Sequence, residues 1–449
     1  MPEFLPDVAT TKKVPNIQIP DIPEIQYSTC INIKKSFTFP LDRPIFGKYA
    51  ISVMPSVPQL SVPGEGLPRV IHYVADQAGC AFWRMLWPAE AMLAHNRAVV
   101  MTLYTMHLHA LFYAGVDAVR LQRQCTPAQR DFIKNLRDVS NKYKEHNGKG
   151  FRIIWEVDDI CLPKEDIPDF NVCKTAFNSD EALEIVKDIT NYVDEIVVVS
   201  EPMKEHYKKH LGFDRISVIP NYAPKHWLDR NITDYERLQS YRKNKKKPRI
   251  LYAGSNTHFD LANKTNQRDD FFHITNLILK DLQGPKKYQW VFLGGVSPIL
   301  QQFVGKGVEV YPWAPITEYP QRLKEMDATI MIAPLQDNTF NRSKADIKIM
   351  EAGALGIPII AQDLDCYNRN NEWKYLFTTG EQMFGHITQI LSSEKNYLKA
   401  INEGREYANK RWLKDHLDEW MLLYTTDYGS PERAKNSYFL DNNKSQFNS

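Results

Sequence analysis

Apolar runs of β type recur along this chain in two series, and a polar break separates the series. The first comprises residues 70–75, 98–103, 117–121, 151–157, 196–199 and 216–220. Amphipathic helical stretches at 81–94, 127–143, 181–193 and 202–210 separate several of these runs. The pattern stops over 223–248, where no apolar run is sustained, and restarts with 249–253, 289–293, 308–311, 328–333, 357–361 and 375–378. Strand alternating with helix is the signature of a parallel sheet covered by helices on both faces. A chain of 449 residues exceeds what one compact core serves. The expected architecture is therefore α/β, with two Rossmann-like parallel-sheet domains.

The boundaries follow from composition. Residues 1–68 hold eleven of the 27 prolines, a density that blocks helix and central strand alike. They are expected to form an extended N-terminal arm laid on a later domain. The first Rossmann-like domain then spans 69–222, a linker 223–248 and the second domain 249–410. A crossover helix at 411–426 and a polar tail at 427–449 close the chain.

A net charge of +2 gives no global field to drive the protein onto nucleic acid or membrane. The run RKNKKKPR at 242–249 reads as a solvated linker rather than a phosphate-binding patch. Six scattered cysteines (Cys30, Cys80, Cys125, Cys161, Cys173, Cys366) form no CxxC pair, which speaks for reduced thiols and against zinc. No apolar run reaches the length of a membrane helix, and MPEFLPDVATTKK lacks the apolar stretch of a signal peptide. The expectation is a cytoplasmic protein with no integral membrane segment.

In open parallel sheets ligands bind where strands end. In the first domain this selects DQAGCAFWR (76–84), 122–125 and EVDDI (156–160). In the second it selects GSNTHFD (254–260), 294–296, 312–316, 334–348 and 362–367. The densest chemistry lies in 327–365, a strand–helix–strand unit. Arg342, Lys344 and Lys348 sit at the start of its helix, and Glu351 lies farther in. Cations beside a helix N-terminus suit a diphosphate, and an acid deeper in the helix suits ribose hydroxyls. An exposed helix face with a Lys348–Glu351 pair at i,i+3 is the bland alternative.

Gly254, Ser255, Asn256 and His258 form a glycine loop able to approach phosphate, or an ordinary turn. Arg84, near a helix start, is poorly placed for the helix dipole, which points to an anion or an acid as its partner. Asp158 and Asp159 end a strand. They suit a metal, a sugar hydroxyl, or the cap of the next helix. Asp363-Leu364-Asp365 matches a short Asp-x-Asp string that arises readily by chance. The twelve histidines offer no HExxH or similar spacing, and no GxSxG, Walker loop or GxGxxG occurs, which weakens hydrolase, NTPase and dehydrogenase readings.

With these residues in place, the chain from about 69 to 420 resembles GT-B glycosyltransferases of the family-4 type. VDEIVVVSEPMKEHY followed by ISVIPNYAPKHW resembles the end of that family's first domain. RILYAGSNTH resembles the first strand and glycine loop of its nucleotide domain. YQWVFLGG and APLQDNTFNRSKADIKIMEAGALGIPIIA resemble its later strands and sugar-nucleotide helix. GCAFWR and IIWEVDDI are similar to a branch that carries Gly-x-x-Tyr-Tyr-Arg and a strand ending in aspartates.

The resemblance implies two domains facing a central cleft. It also implies a retaining transfer from a nucleoside-diphosphate sugar, usually uridine-linked, with no obligatory cofactor or metal. Catalytic roles would fall to Asp158, Asp159, Arg84, Arg342 and Lys344. Donor contacts would fall to Gly254, Ser255, Asn256, His258, Arg342, Lys344, Lys348 and Glu351. Glu351 matches the second glutamate of the family's Glu-x7-Glu motif. Ser343 stands where the first belongs, so Asp346, Lys344 and Lys348 would share its work.

The proline-rich arm and the lysine- and asparagine-rich style resemble tailed-phage proteins. Some phage glycosyltransferases modify hydroxymethylated cytosine in DNA. The expected acceptor is accordingly 5-hydroxymethylcytosine, taking a pentose such as arabinose or a hexose such as glucose in the host cytoplasm. Arg120, Arg123, Arg130, Lys134 and Arg137 would hold the DNA backbone. A surface glycan or lipid-linked acceptor, a GT-B-shaped epimerase and a non-catalytic binding protein are the alternatives.

Overall fold

The computed structural model describes residues 25–26, 66–76, 78–106, 110–171, 174, 181–228, 232–261 and 269–430. Most of the N-terminal arm and of the polar tail lies outside these residues, as do Lys264 and Arg268. Of the arm, Ile25–Gln26 pairs antiparallel with Thr105–Met106.

The first domain is a six-stranded parallel sheet. Its strands are β1 (Arg69–Tyr73), β2 (Val99–Leu103), β3 (Ala118–Gln122), β4 (Arg152–Glu156), β5 (Glu195–Val198) and β6 (Ile216–Val218). They lie in the order β2-β1-β3-β4-β5-β6. The first five are buried along most of their length, as runs of Val, Ile and Leu with helices on both faces must be, while the edge strand β6 buries only Ile216 fully. After β1 the chain turns through Gly79–Ala81 and a π-helical stretch, Phe82–Leu86, into α1 (Trp87–Ala94). Helix α2 (Pro127–Asn147) opens on a Thr126–Gln129 capping box and stops at the left-handed Gly148. Then come α3 (Ala182–Ile189) and α4 (Glu201–Leu211), the latter capped by Ser200.

The segment expected as a polar linker is not a free tether. It carries a short turn, Lys225–Leu228, and α5 (Asp234–Asn244), opened by a Thr233–Glu236 capping box. Arg237 on α5 is buried against the second domain and donates to Leu355 O at 3.0 Å and Ala328 O at 3.2 Å. That burial lowers its pKa to about 10.

The second domain repeats the architecture. Its strands are β7 (Arg249–Gly254), β8 (Gln289–Gly294), β9 (Val308–Tyr311), β10 (Ile330–Ala333), β11 (Ile359–Gln362) and β12 (Leu376–Phe377). The order β9-β8-β7-β10-β11-β12 is the 3-2-1-4-5-6 arrangement of dinucleotide-binding sheets. Helices α6 (Phe272–Gln283), α7 (Tyr319–Glu325), α8 (Ile347–Ala354), α9 (Gly380–Leu391) and α10 (Glu394–Asn409) cover it. Helices α8 and α10 cross at Gly353 and Gly404; a Cβ on Gly353 would stand 2.1 Å from Gly404 O. Glycine is needed there for backbones to meet.

After α10 the chain returns to the first domain. Ala223 and Trp412 lie side by side as an isolated bridge, so the outgoing and returning strands of the crossover are hydrogen-bonded together. Helix α11 (Leu417–Thr425) then packs on the first domain. Trp420 is buried beneath two guanidinium groups, Arg84 at 5.0 Å and Arg120 at 4.0 Å from its ring centre. Both arginines pair with Glu156 at the end of β4; Arg84 Nε donates to it at 2.6 Å and Arg120 Nε at 3.0 Å. All three side chains are fully buried. Replacing Glu156 by Gln removes the only carboxylate of the cluster and leaves two buried cations under-compensated. We expect a loss of about 3–5 kcal/mol in urea-unfolding stability; a change below about 1 kcal/mol would show the cluster to be hydrated.

Candidate active site

The order of the second sheet reverses between β7 and β10, the switch point where open α/β sheets leave a crevice. The loop after β7 forms one wall. Ser255 starts a 3-10 turn, Asn256–His258; its Oγ accepts from Thr257 N at 3.4 Å and lies 2.6 Å from Thr257 Oγ1. At the end of β8, Gly294 has φ +103°, and a Cβ there would meet Gly254 O at 2.4 Å and the Trp313 ring at 2.6 Å. The missing side chain lets Trp313 lie over the strand ends. A cavity of about 690 Å³ opens here between the domains, bounded by Ser255, Asn256, Thr257, Gly294, Trp313 and, from the first domain, Phe170. Trp313 is 52% exposed and stacks on Tyr319, 5.6 Å between ring centres and 26° between planes.

The loop after β10 leads into α8 and forms the second wall. Asn338 caps the turn Thr339–Arg342, and Asn341 Nδ2 donates to Asp270 Oδ1 and Gln336 O, both at 2.8 Å. The other oxygen of Asp270 meets His258 Nδ1 at 2.6 Å. Asp270 therefore ties the glycine loop to the loop before α8. Burial lowers the His258 pKa to about 4, so its imidazole is neutral at physiological pH and Nδ1 carries the shared proton. Lys348 donates to Ala253 O and lies 5.1 Å from the Tyr252 ring centre. Burial pushes Lys348 down from the usual lysine range and buried Glu351 up from the carboxylate range, each opposed by the other's charge. Tyr319 OH donates to Glu351 Oε2 at 3.4 Å. A line of contacts thus runs from exposed Trp313 through Tyr319 to buried Glu351, which lies three residues after Lys348 on α8.

The first domain closes on this crevice. Ser200 Oγ donates to Ser343 O at 2.7 Å, and Arg369 Nη2 to Val199 O at 3.1 Å. Ile160 and Ile167 pack with Phe340. Beside them Lys344 Nζ lies 3.8 Å from Asp159 Oδ1 across the domain boundary, and 4.4 Å from the Phe340 ring centre. Asp159 Oδ1 is buried and accepts no hydrogen bond. Burial raises the Asp159 pKa while Lys344 opposes the rise. Asp158 has a different fate: Arg123 Nε donates to it at 2.6 Å, and Arg123 Nη1 reaches Asp76 at 3.3 Å.

The structure therefore brings together Gly254, Ser255, Asn256, His258, Lys344, Lys348, Glu351 and Asp159, and it sets other candidates apart. Arg84 is walled into the core by Glu156, Ile219 O at 2.7 Å and Asn221 at 3.0 Å. Of its two expected partners, an acid is the one found. Arg342 is 43% exposed and forks onto Asp337, 2.6 and 2.7 Å, with Asp365 at 2.7 Å, so its charge is spent on carboxylates rather than offered to a diphosphate. Asp346 is buried under Tyr407 OH at 2.5 Å and Arg411 at 3.0 Å, so it cannot replace the missing motif acid. Ser343 is fully buried, its hydroxyl bonded to Thr339 O at 3.0 Å.

The expected cationic DNA cleft gains no support from four of its five members, while Lys134 lies exposed on α2. Arg120 is buried on Glu156, Arg123 is held by Asp158, Arg130 pairs with Asp131 and Arg137 with Asp194. The selected loop 312–316 contains Trp313, but this residue was not singled out, although it is an aromatic two residues past a strand end. Sequence reading missed the Arg123–Asp158 pair, for which Gln122–Cys125 was the right loop but without a partner. It also missed His206 and His210, which are spaced i,i+4 on α4 despite the expectation of no such spacing.

Comparison with known proteins supports the fold. HepE (Alr3699) of Anabaena in complex with UDP aligns with a TM-score of 0.50 at 10% identity, over 79% of this chain and 98% of that one. TarM aligns with a TM-score of 0.44 at 12% identity, over 69% of this chain and 55% of that one. The OtsA apo structure gives 0.43 at 12% identity, over 69% and 73%. No protein-family model and no curated protein matches the chain. Among the described residues no helix is long and apolar enough to cross a membrane. The two parallel sheets, their strand orders and the cleft between them make this a two-domain GT-B fold.

Proposed function

We propose that the protein transfers a sugar from a nucleoside-diphosphate donor, uridine-linked, to an acceptor hydroxyl. The observation that carries the reading is the placement of buried Lys348, on Ala253 O, and buried Glu351, under Tyr319 OH, at the switch point of the second sheet, with Lys344 beside Asp159 at the domain boundary. The UDP in the HepE structure accords with it. In this reading Trp313 supplies the face on which the base stacks, and Glu351 accepts from the ribose hydroxyls. The amides after Gly254 and the ammonium groups of Lys344 and Lys348 receive the diphosphate. As the sugar–oxygen bond breaks, negative charge grows on the diphosphate, and fixed cations in a closed cleft lower the barrier by stabilising that charge. Asp159, with an oxygen that lacks a hydrogen-bond partner, orients the acceptor hydroxyl. The resemblance to family-4 enzymes supports retention at the anomeric carbon, which NMR of the product tests.

The acceptor reading of 5-hydroxymethylcytosine in DNA finds no support in Arg120, Arg123, Arg130 and Arg137, all of which are paired. Hydroxymethylated duplex DNA therefore enters an acceptor screen beside soluble glycans and lipid-linked sugars. A mass increase on the modified duplex alone would restore it.

Three measurements test the reading. A screen of nucleotide sugars should show UDP release from at least one uridine-linked donor; release from none of them, with or without acceptors, would remove the proposal. Glu351→Ala and Trp313→Ala should each weaken UDP binding about 10-fold or more by calorimetry, since a charged hydrogen bond or a stacked base contributes on the order of 1.5–3 kcal/mol. Unaltered affinity in both would place the nucleotide elsewhere. Lys344→Ala should lower kcat by roughly 100-fold, the scale of one lost charge stabiliser, with little change in Tm because the side chain is only partly buried. An unchanged kcat would put Lys344 outside the reaction.

A further inference from the structure

One cluster belongs to none of this chemistry. Beyond the Asp158–Asp159 turn, the chain runs through Cys161 and Leu162 to a short 3-10 turn, Lys164–Asp166, against one face of α4. Two histidines on that face, His206 and His210, are one helical turn apart and project to the same side. Asp166 Oδ2 lies 3.8 Å from His206 Nδ1 and 3.4 Å from His210 Nε2, and all three donor atoms fall within 4.8 Å of one another.

We propose that His206, His210 and Asp166 bind a divalent transition-metal ion, zinc above all, which clamps the 160–167 loop to α4. The spacing fits: on a tetrahedral ion with bonds of about 2.0–2.1 Å, neighbouring ligand atoms stand about 3.3 Å apart. Two of the three separations are already within half an ångström of that. Two imidazoles and a carboxylate suit zinc better than magnesium or calcium, which take mostly oxygen ligands. The tautomer fits as well. His206 Nε2 donates to Leu162 O at 2.8 Å, so Nδ1 of the neutral ring carries the lone pair and faces Asp166. A backbone carbonyl fixing the remote nitrogen is the usual support of a metal-bound histidine. His206 is buried, while His210 and Asp166 keep an open side for entry and for a water as fourth ligand.

The clamp has a mechanical consequence. Tyr207, next to His206, already donates to Asp159 O at 3.1 Å and accepts from Cys161 N at 3.0 Å. Metal would add a second fastening to the same loop. The loop carries Asp159 at one end and Ile167, which packs with Phe340 of the second domain, at the other. The ion stiffens the first-domain lip of the cleft without touching the diphosphate side.

The test uses the full chain, stripped with chelator and titrated with Zn2+ and separately with Co2+. One ion per chain by native mass spectrometry is expected, with a Tm rise that EDTA reverses. Amide exchange in 160–167 should slow with Zn2+ and not with Mg2+. Bound Co2+ should show d–d bands of four-coordination without a thiolate charge-transfer band. His210→Ala and Asp166→Asn, both at partly exposed positions, should bind Zn2+ about 10-fold or more weakly with unchanged far-UV circular dichroism. No uptake by the wild-type chain at micromolar free Zn2+ would overturn the proposal. Equal uptake by wild type and both variants, or a thiolate band with Co2+, would overturn it too, since the ion would then sit on cysteines.

Discussion

Glu156 is the residue on which the two halves of this molecule depend. It ends the fourth strand of the first sheet and holds two guanidinium groups that would otherwise be buried unpaired. Arg84 comes from the helical stretch after the first strand, Arg120 from the third strand. Arg84 also grips Ile219 O and Asn221, where the chain leaves the domain. Trp420, brought back by the C-terminal helix, lies against both cations. Behind them Arg120 reaches Tyr424 OH at 3.3 Å, Tyr424 meets His72 Nε2 at 2.9 Å, and His72 Nδ1 donates to Met85 O at 3.1 Å. Burial keeps that imidazole neutral, which is the state this donor–acceptor sequence requires. One carboxylate thereby fixes the first loop, the exit of the first domain and the return of the second.

That anchoring defines what is left to the cleft. Charges whose partners lie inside a domain are structural: Arg84, Arg120, Arg123, Asp158 and Asp346 all belong there. Other charges meet at the domain boundary or lie at the switch point. Lys344 stands 3.8 Å from Asp159, beyond a direct hydrogen bond, and Asp159 Oδ1 has no other partner. The opposed displacements of the Lys348 and Glu351 pKa values have one cause, burial, which each group's charge opposes for the other and which Asp270 also opposes at Lys348. Burying two ionisable side chains costs more than burying an apolar pair of the same volume.

The strands were legible because burial on both faces demands continuous apolar runs. All twelve expected runs became strands, and the polar break fell where one sheet ends and the next begins. Side-chain partners were less legible because they depend on long-range pairing. Arg84 could be seen to need an acid, but Glu156 lies 72 residues away and nothing local marks it. Arg342 read as a phosphate clamp because Asp337 and Asp365 lie on either side of it in the fold, one near in sequence and one across the βαβ unit. The polar segment 223–248 read as linker because its helix is held by two buried side chains, Arg237 and Tyr241, and an N-terminal capping box rather than by a sustained apolar stripe.

Ser343 shows why a motif position and a site position need not coincide. In the resemblance it stands where an acid would contact the donor sugar. Here it has no exposed surface, its hydroxyl returns to Thr339 O, and its carbonyl accepts from Ser200 Oγ of the first domain. A glutamate in that place would bury an unpaired carboxylate, at a cost of several kcal/mol, and would crowd the hydrogen bond that joins the domains. The serine favours the closed interface instead. Beside this edge of the cleft Asp159 of the first domain stands 3.8 Å from Lys344 of the second, so this corner of the cleft is built by both domains together.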